Sequence, residues 1–239
     1  MLINKIRLLV QAFSFLILTY GGRIGINLGY ALPCFACPYV AGCGGYCFLM
    51  FLQRVGIFGI AAYDRIFTYI GLQNLLWFLI FAVSAIILSK FWCGWICPFG
   101  SLLDALSGLR KKMGIREIEF SWTVRTMIKP IKYIFLAVIL VVPLLIAFLG
   151  LSSDFYILFC KICPARPIMP IFAGDIRRFG LEYSNWSTLI ISIVSVSFAA
   201  ITIVGSFFKD RFFCMVCPML PLIHLFNKLS PVRFVKWAD

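Results

Sequence analysis

The sequence predicts an all-α, polytopic membrane protein: four transmembrane helices in two pseudo-symmetric halves, with one short interfacial or re-entrant segment. Three observations predict it. Of 239 residues, 62% are hydrophobic and only 13% charged, with a mean hydropathy of +1.00, whereas a soluble domain averages about a quarter charged and under half apolar. So much apolar surface exceeds what one core hides, so lipid must cover the excess. The apolar residues fall into runs of spanning length, and a cysteine–proline phrase recurs after each run.

The elements follow in order. Met1–Tyr20 has a basic start and an apolar run without a small-residue cleavage site, so it reads as a retained first helix and not a removed signal. The run from Leu8 carries Gln11 and Thr19 and is interrupted by Gly21, Gly22 and Arg23. It reaches spanning length by continuing through Ile24–Leu32. Phe48–Ala62 is apolar but short, and Gln53 and Arg54 mark it as the interfacial or re-entrant segment. Tyr69–Ser89, Ile131–Leu151 and Thr188–Phe208 are the remaining spans. Pro143 kinks the third span, which membrane helices tolerate. The halves are residues 1–120 and 121–239, each with two spans and two cysteine motifs.

Charge placement sets the topology. With both termini cytoplasmic, fifteen of the 22 Lys and Arg fall on inner segments and seven on outer ones, the bias expected of a multi-pass protein of the cytoplasmic membrane. A fifth span would reverse everything after it. The net charge of +13 does not point to nucleic acid. The basic residues sit at the ends of apolar runs, where they meet anionic lipid headgroups.

The chemistry lies in ten cysteines. The phrase reads Cys34-Phe-Ala-Cys37-Pro38, Cys93-Gly-Trp-Ile-Cys97-Pro98, Cys160-Lys-Ile-Cys163-Pro164 and Cys214-Met-Val-Cys217-Pro218. Two thiolates two or three residues apart grip one metal or two corners of a cluster. Proline ends the preceding helix, freeing backbone N–H groups to hydrogen-bond cluster sulfurs. The first and third motifs fall on the outer side, the second and fourth on the inner. Two pairs meeting across an axis along the membrane normal supply the four thiolates of a [4Fe–4S] cubane. The expected inner cluster lies on Cys93, Cys97, Cys214 and Cys217, and symmetry places an outer one on Cys34, Cys37, Cys160 and Cys163. Cys43 and Cys47 have no counterpart in the second half. They either join Cys34 and Cys37 as outer ligands, leaving Cys160 and Cys163 as a dithiol or disulfide, or form a disulfide with each other. Sites on opposite faces would stand on the order of 20–30 Å apart, long for one electron hop, so either a further cofactor sits between them, or the sites tilt inward, or only one works in transfer.

The stretch Phe91-Trp-Cys-Gly-Trp-Ile-Cys-Pro-Phe-Gly-Ser-Leu-Leu-Asp104 resembles the membrane-bound ferredoxin-like proteins of the NapH and NosR type, whose four-helix cores carry Cys-x3-Cys-Pro motifs on the cytoplasmic side. Cys214-Met-Val-Cys217-Pro218 aligns with the second such motif, but with two intervening residues in place of three. The resemblance implies a non-catalytic electron-transfer subunit working between a quinone pool or outer-face donor and a partner redox protein. No soluble tail of four closely spaced cysteines follows, so a separate ferredoxin-like or flavin-bearing subunit is expected as partner. The outer cysteines are not part of the family pattern.

Two rival classes share the motif. A membrane thiol–disulfide relay also uses Cys-x-x-Cys pairs, but needs them on the oxidising face, whereas two pairs fall on the basic, inner face. A zinc-stabilised structural subunit would also use four thiolates. Bis-histidine haem is excluded within this chain, which has only His224. His224, Lys161, Trp92, Trp95 and Trp122 read as interfacial residues, and Arg177 and Arg178 as a solvated outer pair. No nucleophile–base pair, phosphate loop or dinucleotide fingerprint occurs.

Overall fold

A computed structural model describes residues 2–29, 36–61, 69–88, 91–119, 121–149, 157–174 and 185–227. Cys34, Arg65, Lys90, Arg177, Arg178, Lys228, Arg233 and Lys236 lie outside them. Among the described residues, every extended regular element is helical: α1 (Leu2–Tyr20), α2 (Phe48–Ala61), α3 (Tyr69–Leu88), α4 (Pro98–Lys112), α5 (Trp122–Ile128), α6 (Ile131–Leu149), α7 (Leu158–Ile162), α8 (Ala165–Phe172), α9 (Trp186–Phe208), α10 (Phe212–Val216) and α11 (Met219–Asn227).

The apolar runs and the long helices coincide at α3, α6 and α9, with Pro143 inside α6. Trp122–Ile146 and Trp186–Phe208 are long and apolar enough to cross a membrane, and Leu72–Leu88 is a shorter apolar helix. The first helix differs from expectation. It spans Leu2–Tyr20, the stretch read as the first helix, but does not continue as α-helix through Ile24. Gly21–Ile24 tightens into a 3-10 turn that Gly25 closes at φ 82°, a left-handed conformation that glycine adopts without a Cβ clash. Leu8, Leu9, Phe13 and Leu16 are exposed on α1, while Gln11, Leu18 and Thr19 are buried.

The short segment at Phe48 is a 14-residue helix whose first turns enter the core. Phe48, Leu49, Phe51 and Gln53 are all buried, and α2 packs along α6. On α9, the small residues Ser192, Ser195, Ala199, Thr202 and Ser206 form the buried face. Their spacing of three and four residues lays them on one stripe, which lets α4, α7, α8 and α10 approach closely.

The packing is equivalent between halves. Helix α4, after the second motif, rests on α1 and α9, while α11, after the fourth, rests on α6 and α3. Each of these two helices therefore covers the first long helix of its own half and the second long helix of the other. We call the end where α1 begins basal and the end where it finishes apical. Arg110, buried in the last turn of α4, ties the halves at the basal end. It donates to the Phe208 carbonyl (2.7 Å) and to Asp210 (2.7 Å), and Lys111 reaches the other oxygen of Asp210 at 2.9 Å.

Candidate metal centre

The motif proline does not merely end a helix; it opens the next one. Pro98 is the first residue of α4, with Cys97 as its N-cap, and Pro164 and Pro218 stand directly before α8 and α11. Proline suits this place because its missing N–H would be unpaired there anyway. The second cysteine of three motifs adopts one conformation: φ/ψ of −61°/115° at Cys97, −55°/132° at Cys163 and −63°/122° at Cys217. Three residues before the first cysteine, Ile157 and Arg211 both take positive φ (54°), rare for any residue with a Cβ and costly for a β-branched one. The third and fourth motifs are thus one structural phrase.

The extra residue in Cys93-x3-Cys97 is absorbed by a π turn, Trp92–Ile96. The Cys97 N–H reaches the Trp92 carbonyl at 2.9 Å, spanning five residues, where the Cys163 N–H reaches Phe159 at 2.8 Å, spanning four. Both bonds end on the residue before the first cysteine. The bulge therefore keeps the two spacings geometrically equivalent, and π bulges of this kind are frequent at functional sites.

The second and fourth motifs meet at the basal end. The Phe99 and Phe213 rings, each buried, pack edge to face at 5.2 Å, clamping α4 to α10. Cys97 and Cys217 are buried, Cys93 and Cys214 partly so. Burial, followed by the charges of Cys93, Cys214 and Cys97, raises the Cys217 thiol well above its ordinary range. Burial and Cys97 likewise push Cys214 up to about 12. Cys217 thus stands within electrostatic reach of the other three thiols. The Gly100 N–H donates to Cys97 Sγ (3.4 Å). A Cβ at Gly100 would stand 3.1 Å from the Cys93 carbonyl and 3.7 Å from that sulfur, so the position has no room for a side chain.

Around these cysteines lies a charged network that the sequence did not announce. Asp104 accepts from Arg7, from Gln11 Nε2 (2.7 Å) and from Arg211 Nε (2.6 Å). Arg211 also donates to the Cys93 and Gly94 carbonyls (3.4 and 3.0 Å), and Gln11 to Gly94 (3.0 Å). Burial acts to raise the Asp104 carboxyl, but hydrogen bonds and charge from Arg211, with Gln11 and Arg7, hold it below the usual range. Gln11 carried a signal: a polar group inside an apolar run is costly and marks a functional candidate.

The first and third motifs lie at the apical end. Gly44 N–H donates to the Leu18 carbonyl (3.0 Å), and Tyr20 and Arg23 donate to the Phe172 and Ala173 carbonyls at the end of α8. Cys37, Cys47, Cys160 and Cys163 line one small cavity with Pro38, Tyr39, Leu49, Phe159 and Ala165. Cys34 lies outside the described residues. Cys43 does not line the cavity, and Cys43 and Cys47 are both free thiols, so the disulfide between them is not formed. Burial, then Cys160, Cys97 and Cys37, raises the Cys47 thiol.

The packing bears on the expected separation and favours sites that tilt inward. Gln11 touches the basal motif and Leu18 the apical loop, and these two residues are seven apart, about 10 Å along the helix axis. The sites do not stand a hydrocarbon thickness apart, because residues 36–47 and the start of α2 fold inward and join the same core as Cys97, Cys163 and Cys217.

Among the described residues no three His, Cys, Asp or Glu side chains converge tightly enough to hold a single metal ion. Tetrahedral zinc, with Zn–S near 2.3 Å, needs sulfurs roughly 3.8 Å apart. A cubane takes four thiolates with N–H donors directed at sulfur, and the buried Cys97, with the Gly100 N–H on its Sγ, fits that donor chemistry.

The fold and site define a helical, thiol-rich protein with cysteine–proline repeats. Residues 70–116 and 191–236 each match the model of a 4Fe–4S binding domain. The two matches cover less than half of the chain and contain the second and fourth motifs, which supports a ferredoxin-like 4Fe–4S protein. No curated protein and no solved structure matches the chain.

Proposed function

We propose that the chain is a four-span membrane subunit passing single electrons between a quinone pool or outer-face donor and a cytoplasmic redox partner, itself ferredoxin-like or flavin-bearing. The observation that carries this reading is the convergence of Cys93, Cys97, Cys214 and Cys217 from the two family-matched repeats. These four thiols would hold a [4Fe–4S] cluster, which supplies a one-electron couple when bound. Arg211 and Gln11 fix the Cys93–Gly94 carbonyls, the Gly100 N–H holds the Cys97 sulfur, and Phe99 and Phe213 exclude water.

Four spans, α1, α3, α6 and α9, are supported by their exposed apolar faces. Leu8, Leu72, Ile134 and Ile201 are each more than half exposed, a surface that water would penalise and lipid accepts. Arg7, Arg110, Lys111, Lys112, Lys209 and Arg211 all belong to the basal end, which supports that end being cytoplasmic. The test is alkaline carbonate washing of membranes, followed by anaerobic reconstitution in liposomes and mixing with a short-chain quinol. The reading expects retention in the membrane and quinol-dependent bleaching of the cluster's visible absorption. Release by carbonate would refute the membrane reading, and clusters that exchange no electrons with quinol or quinone would refute the quinone pool as donor and leave the outer-face donor.

A further inference from the structure

The apical cavity contains four cysteines that lie in neither family-matched segment. Cys37 and Cys47 bracket the loop after the 3-10 turn. Cys160 sits in α7, and Cys163 caps it. Cys37, Cys47 and Cys163 are at most 6% exposed and Cys160 8%, and the remaining wall is apolar. The loop is held in place by backbone. A Cβ at Gly44 would stand 2.3 Å from the Ile17 carbonyl oxygen, and one at Gly22 2.6 Å from the Cys43 carbonyl, so glycine lets the loop press against the end of α1. Through the Cys47 N–H bond to the Ala36 carbonyl (3.0 Å), this seating carries Cys37 and Cys47 to one wall.

A buried polar side chain, Gln53, faces these thiols. Gln53, 1% exposed, accepts the Phe159 N–H on Oε1 (3.1 Å) and donates from Nε2 to the Leu49 carbonyl (3.1 Å) and to Cys160 Sγ (3.2 Å). Because the amide oxygen is committed to an N–H, the orientation is fixed and an N–H must face sulfur. A buried amide in an apolar helix is expensive unless its bonds are made. Here one bond orders α7, one addresses a cysteine, and the third closes on the preceding turn of α2.

We infer that the chain holds a second [4Fe–4S] cluster at the apical end, on Cys37, Cys47, Cys160 and Cys163, with Gln53 as the residue that positions Cys160 and sets the site's potential. The set includes Cys47, from the part of the chain without a counterpart in the second half, beside three cysteines that repeat symmetry also suggests; Cys34, the fourth of that symmetric set, lies outside the described residues. The inference rests on the chain being an iron–sulfur protein but not on the basal ligands.

The experiment uses the full chain purified anaerobically in detergent, with iron, acid-labile sulfide and EPR of the reduced protein measured together. Wild type should carry about eight irons. Cys47→Ser and Cys160→Ser should each fall to about four while keeping the basal signal, which shows that the fold survives. Cys34→Ser and Cys43→Ser should keep about eight. A wild type with four irons that Cys47→Ser leaves unchanged would overturn the second site alone, as would loss of four irons in Cys34→Ser but not in Cys47→Ser. No iron at all would overturn the proposed function as well. If the serine variants fail to accumulate, Gln53→Leu decides the question. It should keep about eight irons and lower one midpoint potential while leaving the other in place; two unmoved potentials would overturn the inference.

Discussion

Replacing Asp104 by asparagine removes the one carboxylate that joins α1, α4 and the residue leading into the fourth motif. Its loss can be sized from the contacts. Asp104 accepts two bonds from Arg211, one from Gln11 and one from Arg7. Bonds to charged groups contribute about 1.5–3 kcal/mol each. Arg7 is 37% exposed, so solvent screening reduces its share to under about 1 kcal/mol. The pair with Arg211 is better shielded, at 19% and 26% exposed. Asparagine keeps one acceptor, and Arg211 keeps its carbonyl partners at Cys93 and Gly94. The net cost should be about 2–3 kcal/mol. A denaturant series in detergent on Asp104→Asn, Arg211→Met and the double variant measures it, with a coupling of about 1–2 kcal/mol expected. Because the Asp104 pKa is depressed in the folded protein, its contribution is fully present above the unfolded carboxyl value near 4 and disappears as pH falls through the folded value. The gap between wild type and Asp104→Asn should therefore hold constant from pH 7 to about 5 and close only in stronger acid. A single variant within about 0.5 kcal/mol of wild type, or additive effects in the double variant, would refute the network.

The remaining predictions concern other contacts. Gln53→Leu should lower the apical midpoint potential by about 40 mV, because a sulfur-directed bond worth about 1 kcal/mol favours the more negative reduced state; redox titration followed by EPR measures it. Gly44→Ala drives a Cβ into the Ile17 carbonyl, backbone against backbone, and should cost about 3 kcal/mol and lower apical iron occupancy, read by thermal unfolding and iron assay. Arg110→Met leaves Asp210 and the Phe208 carbonyl without their buried donor. With Asp210 34% exposed, the expected loss is about 2 kcal/mol, read by the same denaturant series. Asp104→Asn should also raise the basal potential, since it leaves the Arg211 charge unbalanced beside Cys93 and Cys214; an unchanged potential would argue against that proximity.

Much of this was legible in the sequence because hydropathy is a one-dimensional signal. Tyr69–Leu88, Ile131–Leu149 and Trp186–Phe208 follow from run length alone, and the basal set follows from the repeated cysteine–proline phrase. What sequence could not supply came from chain reversals. The 3-10 turn at Gly21–Ile24 ends α1 early, and the glycines at 22 and 44 let a loop return against it, so Cys47 arrives beside Cys37, Cys160 and Cys163. Gln11 and Gln53 read as interruptions of apolar runs because their partners, Asp104 and Gly94 for one and Phe159 and Cys160 for the other, lie 83 to 107 residues away. The x3 spacing of the second motif looked like a departure from the fourth. Only the π turn shows that the extra residue leaves the cysteine geometry unchanged.

The most direct test of the central claim is EPR of the anaerobically prepared, reduced chain with Cys93 or Cys217 replaced by serine, alongside iron and sulfide content. Wild type should show a reduced [4Fe–4S] signal that each substitution abolishes or converts, with loss of up to about four irons. A signal and iron content unchanged by both substitutions, or a wild type that carries zinc in place of iron, would contradict it.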